Sequence, residues 1–221
     1  MRIAVLLFIA FSLVCMSACS STPKGDGWID LTQPSQWRAY KGKSVPAPWV
    51  FWGGAIHLST GGVGDLVTVD EFDSFEFEYE WRIAPMGNSG VMFHVVEGDG
   101  PTYSTGPEMQ VLDNAAIEGG RDPLVAAGAC YALYGTDTDA TRPVGEWNQA
   151  RIIIQPSGHT EFWLNGAMQC AFELGGQDWN QRVAGSKFAD MPGFGLARKG
   201  RLALQDHGSE VWYRALRIRR L

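Results

Sequence analysis

The sequence predicts an all-β domain built as one sandwich, on three observations. Glycine and proline are plentiful, at 27 and 11 of 221 residues, and these are the residues that punctuate tight turns. Between them lie short runs in which apolar and polar residues alternate, the period of a half-buried strand. Beyond the N-terminus no segment sustains a long helical period, and neither an internal repeat nor an interdomain linker breaks the pattern.

Taken in order, residues 1–18 read as an export signal and not as part of the fold. Arg2 gives the positive start, Ile3–Val14 is apolar apart from Ser12, and small residues precede Cys19. About a dozen apolar residues are too few to span a bilayer, which takes about twenty. Met16-Ser17-Ala18-Cys19 resembles a bacterial lipobox, which makes Cys19 the expected lipidation site and residues 19–26 a lipidated tether. Met16 is unusual at its place, so an ordinary signal containing Cys19 stays open. The expectation is an exported protein, anchored by lipid alone, on the periplasmic side of an outer membrane or at the cell surface. Residues 27–221 then form the single domain.

Within that domain, Phe75–Ile83 is the clearest strand, with aromatic or aliphatic residues at every second place and Glu76, Glu78, Glu80 and Arg82 between them. The glutamates read as a solvated face that protects a sheet edge. A meander follows: strand Trp147–Gln155, a turn at Pro156-Ser157-Gly158, strand Thr160–Leu164, a type I′ turn at Asn165-Gly166, and strand Ala167–Leu174. Gly200–His207 and Glu210–Leu221 read as a closing hairpin through Gly208. Asn114–Pro123 and Gly135–Gly145 are the longest irregular stretches. Of the nine tryptophans, Trp81, Trp147 and Trp163 fall in strands and are expected in the core. Trp37, Trp49, Trp52 and Trp179 lie near turns, where core packing is favoured over sugar stacking.

Composition removes some functions. Net charge is −6, and no basic patch is dense enough to hold nucleic acid. The basic run from Arg214 to Arg220 alternates as a strand does. Cys130 and Cys170 remain after the signal; they pair if the compartment oxidises them, or stay as small buried apolar groups, the reading their apolar surroundings favour.

Period-two bookkeeping then selects a polar sheet face. Met109 and Val111 suit the core, so Glu108 and Gln110 point away from it; Leu202 and Leu204 suit the core, so Gln205 and His207 point away; Val91, Phe93 and Val95 suit the core, so Met92 and His94 point away. If these strands are neighbours, that face carries a general base and hydrogen-bonding amides. Glu108 and Asp113 differ by five positions, so a regular strand puts them on opposite faces, which argues against a glycosidase carboxylate pair. The sequence contains no metal-ligand spacing such as HxxxH or CxxC, nucleophile elbow, phosphate loop or dinucleotide fingerprint. A divalent metal held by Glu108, His207 or Asp113 is the one cofactor left open.

Six segments occur in one order: Asn88-Ser89-Gly90-Val91, Gly106–Asp113, Gly128-Ala129-Cys130-Tyr131, Val144-Gly145-Glu146-Trp147-Asn148, Leu164-Asn165-Gly166, and Gly200–Gly208 ending Leu204-Gln205-Asp206-His207-Gly208. The series resembles the 3-keto-disaccharide hydrolase domain family from Gly27 to Leu221. That resemblance implies a concanavalin A-like jelly-roll sandwich of two antiparallel sheets and activity on glycosides already oxidised at C3 of a sugar. It implies Glu108 and His207 as the catalytic pair and Gln110, Gln205, Asp113, Arg142 and His94 as substrate contacts. An oligosaccharide or glycoside is the expected partner. His94 stands where the family often has arginine, Pro107 replaces an aromatic, Cys130 takes an aliphatic place, and Ala215 replaces an asparagine. The alternative on the same fold is a glycan-binding lipoprotein without catalysis.

Overall fold

The computed structural model describes residues 27–221; the signal and the Cys19 tether lie outside the described residues. Strands are numbered along the chain. The larger sheet contains β1 (Ile29–Asp30), β3 (Trp49–Trp52), β4 (Ala55–Leu58), β6 (Phe75–Ile83), β9 (Asn148–Ile154), β10 (His159–Leu164), β11 (Ala167–Glu173) and β13 (Val211–Arg220). The smaller contains β2 (Trp37–Ala39), β5 (Leu66–Thr68), β7 (Asn88–Val95), β8 (Glu108–Leu112) and β12 (Arg201–Leu204). Their orders are β11-β10-β9-β6-β13-β4-β3, with β1 on β13, and β2-β5-β12-β7-β8. Every strand pair within both sheets is antiparallel. The expected all-β sandwich is therefore the observed fold, with one short α-helix among the described residues, α1 (Gln177–Ala184).

The alternation in the sequence decides which side chains meet between the sheets. Phe75, Phe77, Tyr79, Trp81 and Ile83 point inward from β6 and are buried. Facing them from the smaller sheet are Val91 and Phe93, Met109 and Val111, and Leu202 and Leu204, all fully buried. Two hydroxyls that enter this core are bonded: Tyr79 donates its hydroxyl to Met109 Sδ at 3.3 Å, and Ser89 Oγ donates to the Gln205 carbonyl at 2.7 Å. The meander of β9, β10 and β11 forms as expected, and its turn has positive φ at Asn165 and Gly166. Trp37, Trp49, Trp81 and Trp179 are core residues, whereas Trp52 is 84 % exposed.

Three expectations are corrected. First, β6 is a central strand between β9 and β13, not an edge. Its glutamates protect nothing; each faces a guanidinium on β13, Glu80 with Arg214 at 2.6 Å, Glu78 with Arg217 at 2.6 Å, and Glu76 with Arg219. Second, β12 and β13 are not a hairpin, because they belong to different sheets. The chain crosses the sandwich edge through Asp206–Gly208. Third, Trp147 and Trp163 are half-buried on the outer face of the larger sheet, where guanidinium groups cover their rings: Arg82 and Arg214 over Trp147, Arg151 over Trp163. Cys130 and Cys170 are free thiols, Cys130 fully buried.

Asp206 fixes the crossing. Its Oδ2 accepts the backbone N–H groups of Gly62, Val63 and Gly64 at 2.8, 2.7 and 2.9 Å, and Oδ1 accepts that of Gly208 at 3.0 Å. Four donors on one carboxylate tie the loop before β5 to the loop after β12. Replacing Asp206 by Ala is expected to cost about 2–4 kcal/mol in urea unfolding, since hydrogen bonds to a charged acceptor are worth about 1.5–3 kcal/mol each and water repairs some of the loss. A change below about 0.5 kcal/mol would show that the two loops hold together without it.

Candidate active site

The site is built on the outer face of the smaller sheet. β8 presents Glu108 and Gln110 outward because Met109 and Val111 are taken by the core. β8 is an edge strand, but its open edge is covered by the segment Gly128–Tyr131. Gln110 N donates to the Ala129 carbonyl, Gly128 N to the Gln110 carbonyl and Tyr131 N to the Glu108 carbonyl, all at 2.9–3.0 Å. The Gly128-Ala129-Cys130-Tyr131 motif thus completes the sheet next to Glu108. The Gln110 amide donates to the Val125 carbonyl at 3.2 Å, so it braces the same covering loop.

Gly90 explains where the Glu108 carboxyl goes. In register, Gly90 is opposite Gln110 and Met92 opposite Glu108. A Cβ added at Gly90 would lie 1.8 Å from Glu108 Oε1 and 2.6 Å from its Cδ. The carboxyl therefore lies over the gap left by the missing side chain. On the far side of that gap Gln205 N donates to the Gly90 carbonyl at 2.9 Å, and the Gln205 side chain meets the Glu108 carboxyl. The Glu108 side chain thus leans diagonally over Gly90 of β7 toward Gln205, the residue after β12, and these three form the Glu108 row.

That row is dry. Glu108, Gln110 and Gln205 are 8 %, 2 % and 8 % exposed. Burial pushes the Glu108 carboxyl up to about 8; Lys187 pulls it down, Asp65 pushes it further up, and Gln205 favours the charged form slightly. Glu108 Oε1 and Gln205 Oε1 are buried with no hydrogen-bond partner in the protein. Buried polar atoms without partners are rare, and two on one short row mark the place where a polar ligand would bond.

Asp65 and Lys187 were not selected by alternation. Asp65 precedes the three-residue strand β5, too short to betray its period, and it shares the outer side with Val67. Its Oδ1 accepts from Asp206 N at 2.8 Å and its Oδ2 from the Thr102 hydroxyl. Burial raises its pKa, and the bonds from the Thr102 hydroxyl and Asp206 N–H oppose that rise. The charge of Asp65 also acts on Glu108, raising its pKa. Lys187 follows α1 and sits 4.1 Å from the Tyr131 ring centroid, beside the backbone that bonds Glu108.

The other expected residues are placed as follows. His207 is exposed, two residues beyond Gln205 at the rim. Asp113 stands apart: its Oδ2 accepts from Met86 N at 2.8 Å and its Oδ1 from Ala115 N at 3.1 Å, so it shapes a turn. Arg142 is exposed in the loop before β9, held through its backbone N–H on Asn148 Oδ1. His94 does not join the face. Between Met92 and Val95 the pairing with β12 skips a residue, and His94 takes φ 51°. This bulge turns Val95 outward beside Met92 and swings His94 away. Its Nε2 lies 2.6 Å from the Asp73 carbonyl and its ring packs edge-on against Phe75 and Phe93. Burial lowers the His94 pKa. Among the described residues, no group of three or more His, Cys, Asp and Glu side chains is arranged to hold a metal ion, so Glu108, His207 and Asp113 do not form the metal set left open above.

Gly90→Ala should displace the Glu108 carboxyl toward water. Titration of the Glu108 carboxyl carbon by NMR is expected to show its midpoint falling by about one unit or more, because less burial favours the ionised form. An unchanged midpoint would mean that the glycine gap does not hold the carboxyl.

Known proteins share this fold. A protein of Parabacteroides distasonis ATCC 8503, provisionally named a glycosyl hydrolase, is 31 % identical and superposes with a TM-score of 0.81 over 90 % of this chain and 95 % of its own. A 3-keto-disaccharide hydrolase of Bacteroides thetaiotaomicron is 29 % identical over 228 residues, covering 88 % of this chain and 78 % of that protein. A carbohydrate-binding module of Bacillus subtilis shares the fold alone, at 12 % identity and a TM-score of 0.52 over 82 % of this chain and 93 % of its own. The family described as 3-keto-alpha-glucoside-1,2-lyase-like domain matches residues 27–219. Its match spans the whole sandwich and every residue of the Glu108 row, and the chain belongs to that family.

Proposed function

We propose that this chain cleaves 3-keto-disaccharides and related 3-keto-glycosides, with Glu108 as the general acid. The observation that carries the reading is the buried Glu108 carboxyl, held over Gly90 with Oε1 lacking a protein partner. At pH 7 a carboxyl of pKa about 8 is roughly nine-tenths protonated. It is therefore suited to give a proton, not to take one.

A ketone at C3 acidifies the hydrogen on C2. In the proposed reaction His207 removes that proton, and the electron pair moves toward the C3 oxygen as an enolate. The enolate then re-forms the ketone, C1 and C2 become doubly bonded, and the C1–O bond breaks. Glu108 gives its proton to the departing oxygen, so the leaving group departs as an alcohol. Water adding across C1 and C2 completes a net hydrolysis and returns a proton to C2. Lys187 at the rim offers positive charge to the enolate oxygen. Gln205, with its free carbonyl oxygen, bonds a sugar hydroxyl, and Gln110 holds the covering loop in place. The negative charge of Asp65 disfavours ionisation of Glu108.

The test is release of free sugar from a 3-keto-disaccharide by the purified domain. Glu108→Gln is expected to lower kcat by about 10²–10⁴, and His207→Ala by about 10². The acid role fixes the sign of the pH dependence: kcat/KM is flat below about 8 on the Glu108 limb and falls as pH rises through it. A kcat/KM that climbs through the same range would make Glu108 the base and overturn the assignment. Full activity in Glu108→Gln would remove the site altogether.

We also propose that Cys19 carries lipid and holds the domain on an exported membrane face. In cells making the full chain, Cys19→Ala is expected to move the protein from the membrane fraction to the soluble exported fraction. Retention in the membrane fraction would refute the anchor.

A further inference from the structure

The outer face of the larger sheet carries a groove of about 790 Å³, a size within the range of small-molecule sites. It lies on the opposite side of the sandwich from Glu108, with both sheets and the core between them. Its geometry follows from register. On the outward face, Gln149, Glu80 and Arg214 form one row across β9, β6 and β13; Trp163, Arg151, Glu78 and Arg217 form the next across β10, β9, β6 and β13. Trp28 extends the second row, with the Arg217 guanidinium 4.5 Å from its ring centroid. The groove runs between the rows, across the strands.

The floor is made by a bulge. Ala215 and Leu216 of β13 together oppose Tyr79, and Ala215 takes φ 51°. The Leu216 side chain is buried, and the exposed side chain at the bulge is the small Ala215 methyl. A larger residue there would fill the trough. Gly54 and Gly166, both with positive φ and no atom within 4 Å of an added Cβ, leave its ends low.

The chemistry of the walls selects the occupant. Glu78 and Glu80 already face Arg217 and Arg214 at 2.6 Å, and the Arg151 guanidinium covers Trp163. Arg151 also faces Glu76 at 3.4 Å, and the Asp30 carboxylate accepts from Thr32 N at 2.8 Å, so most of the charge in the groove is already met within the protein. What it offers is planar amide, carboxylate and guanidinium edges beside tryptophan rings. Such a surface bonds pairs of hydroxyls and packs against C–H faces. We infer that this groove binds a neutral oligosaccharide chain, as a second carbohydrate site separate from the Glu108 row.

The experiment measures binding of maltoheptaose, cellohexaose and laminarihexaose to the purified protein by calorimetry, each sugar being unoxidised. Native protein, Glu108→Gln, Trp163→Ala and Gln149→Ala are compared, with melting curves to confirm folding. At least one sugar is expected to bind, Trp163→Ala to weaken it tenfold or more, Gln149→Ala to weaken it threefold or more, and Glu108→Gln to leave it unchanged. Cleavage of a 3-keto-disaccharide by Trp163→Ala is expected at the native rate. Gln149 is exposed on a strand face, so that variant still reports if Trp163→Ala fails to fold. Binding of none of the three sugars, or binding that Glu108→Gln abolishes while both groove variants retain it, would overturn the inference.

Discussion

A carboxyl group taken out of water without a charged partner in contact resists ionisation, and much of the smaller sheet is organised around that fact. The outer face of a two-sheet sandwich is normally wet. Here it is covered: Val67, Met92, Val95 and Ala203 form a second apolar cluster on it, at most 1 % exposed. Loops do the covering, and they are held by polar bonds at its margin. Thr102 bonds Asp65, Asp65 bonds Asp206, and Asp206 gathers Gly62–Gly64. Tyr40 donates its hydroxyl to the Gly100 carbonyl at 3.0 Å and Lys41 its ammonium to the Asp99 carbonyl at 2.8 Å. The Glu108 row is the part of this covered face where polar atoms are left unbonded.

The two outer faces solve opposite electrostatic problems with the same residue types. On the larger sheet, carboxylates stand on a strand with guanidinium groups directly across, so charge is kept and cancelled locally. Such exposed pairs contribute little to stability, typically under about 1 kcal/mol each. Their effect is on what the face can hold. On the smaller sheet, Glu108 has an amide neighbour and a glycine gap, and charge is withheld by burial. A reaction that must pass a proton needs the second arrangement, whereas a surface that grips an uncharged polymer is served by the first. One fold can carry both because the intervening core isolates them.

The fold was legible because alternation is a local property. Phe75–Ile83, the meander from Asn148 to Glu173 and its Asn165-Gly166 turn follow from side-chain period and turn chemistry alone. The same bookkeeping placed Glu108, Gln110 and Gln205 on one face, and pairing brought them together. What it missed depends on partners far along the chain. That β6 is central, and that β12 and β13 part to different sheets, is decided by pairing and by the Asp206 crossing. Asp65 owes its place to Thr102 and Asp206, and Lys187 to a loop after the helix, so neither carries a local signal. The family resemblance supplied the order of motifs but did not foretell that Asp113 would spend both oxygens on a turn.

His94 and Ala215 show where period-two reasoning ends. Each is a residue other than glycine at φ 51°, in the left-handed region, and each sits at an extra residue in a strand. An extra residue reverses the facing of everything after it, so parity read across a bulge assigns side chains to the wrong side. For His94 the reversal exchanged a histidine for a valine on the covered face, which keeps a titratable ring out of the apolar cluster. For Ala215 it restored alternation, setting Arg217 outward and Ile218 inward while opening a gap over Tyr79. The strain of a left-handed conformation is accepted at both places, and it is the natural consequence of fitting continuous strands to two faces with different tasks.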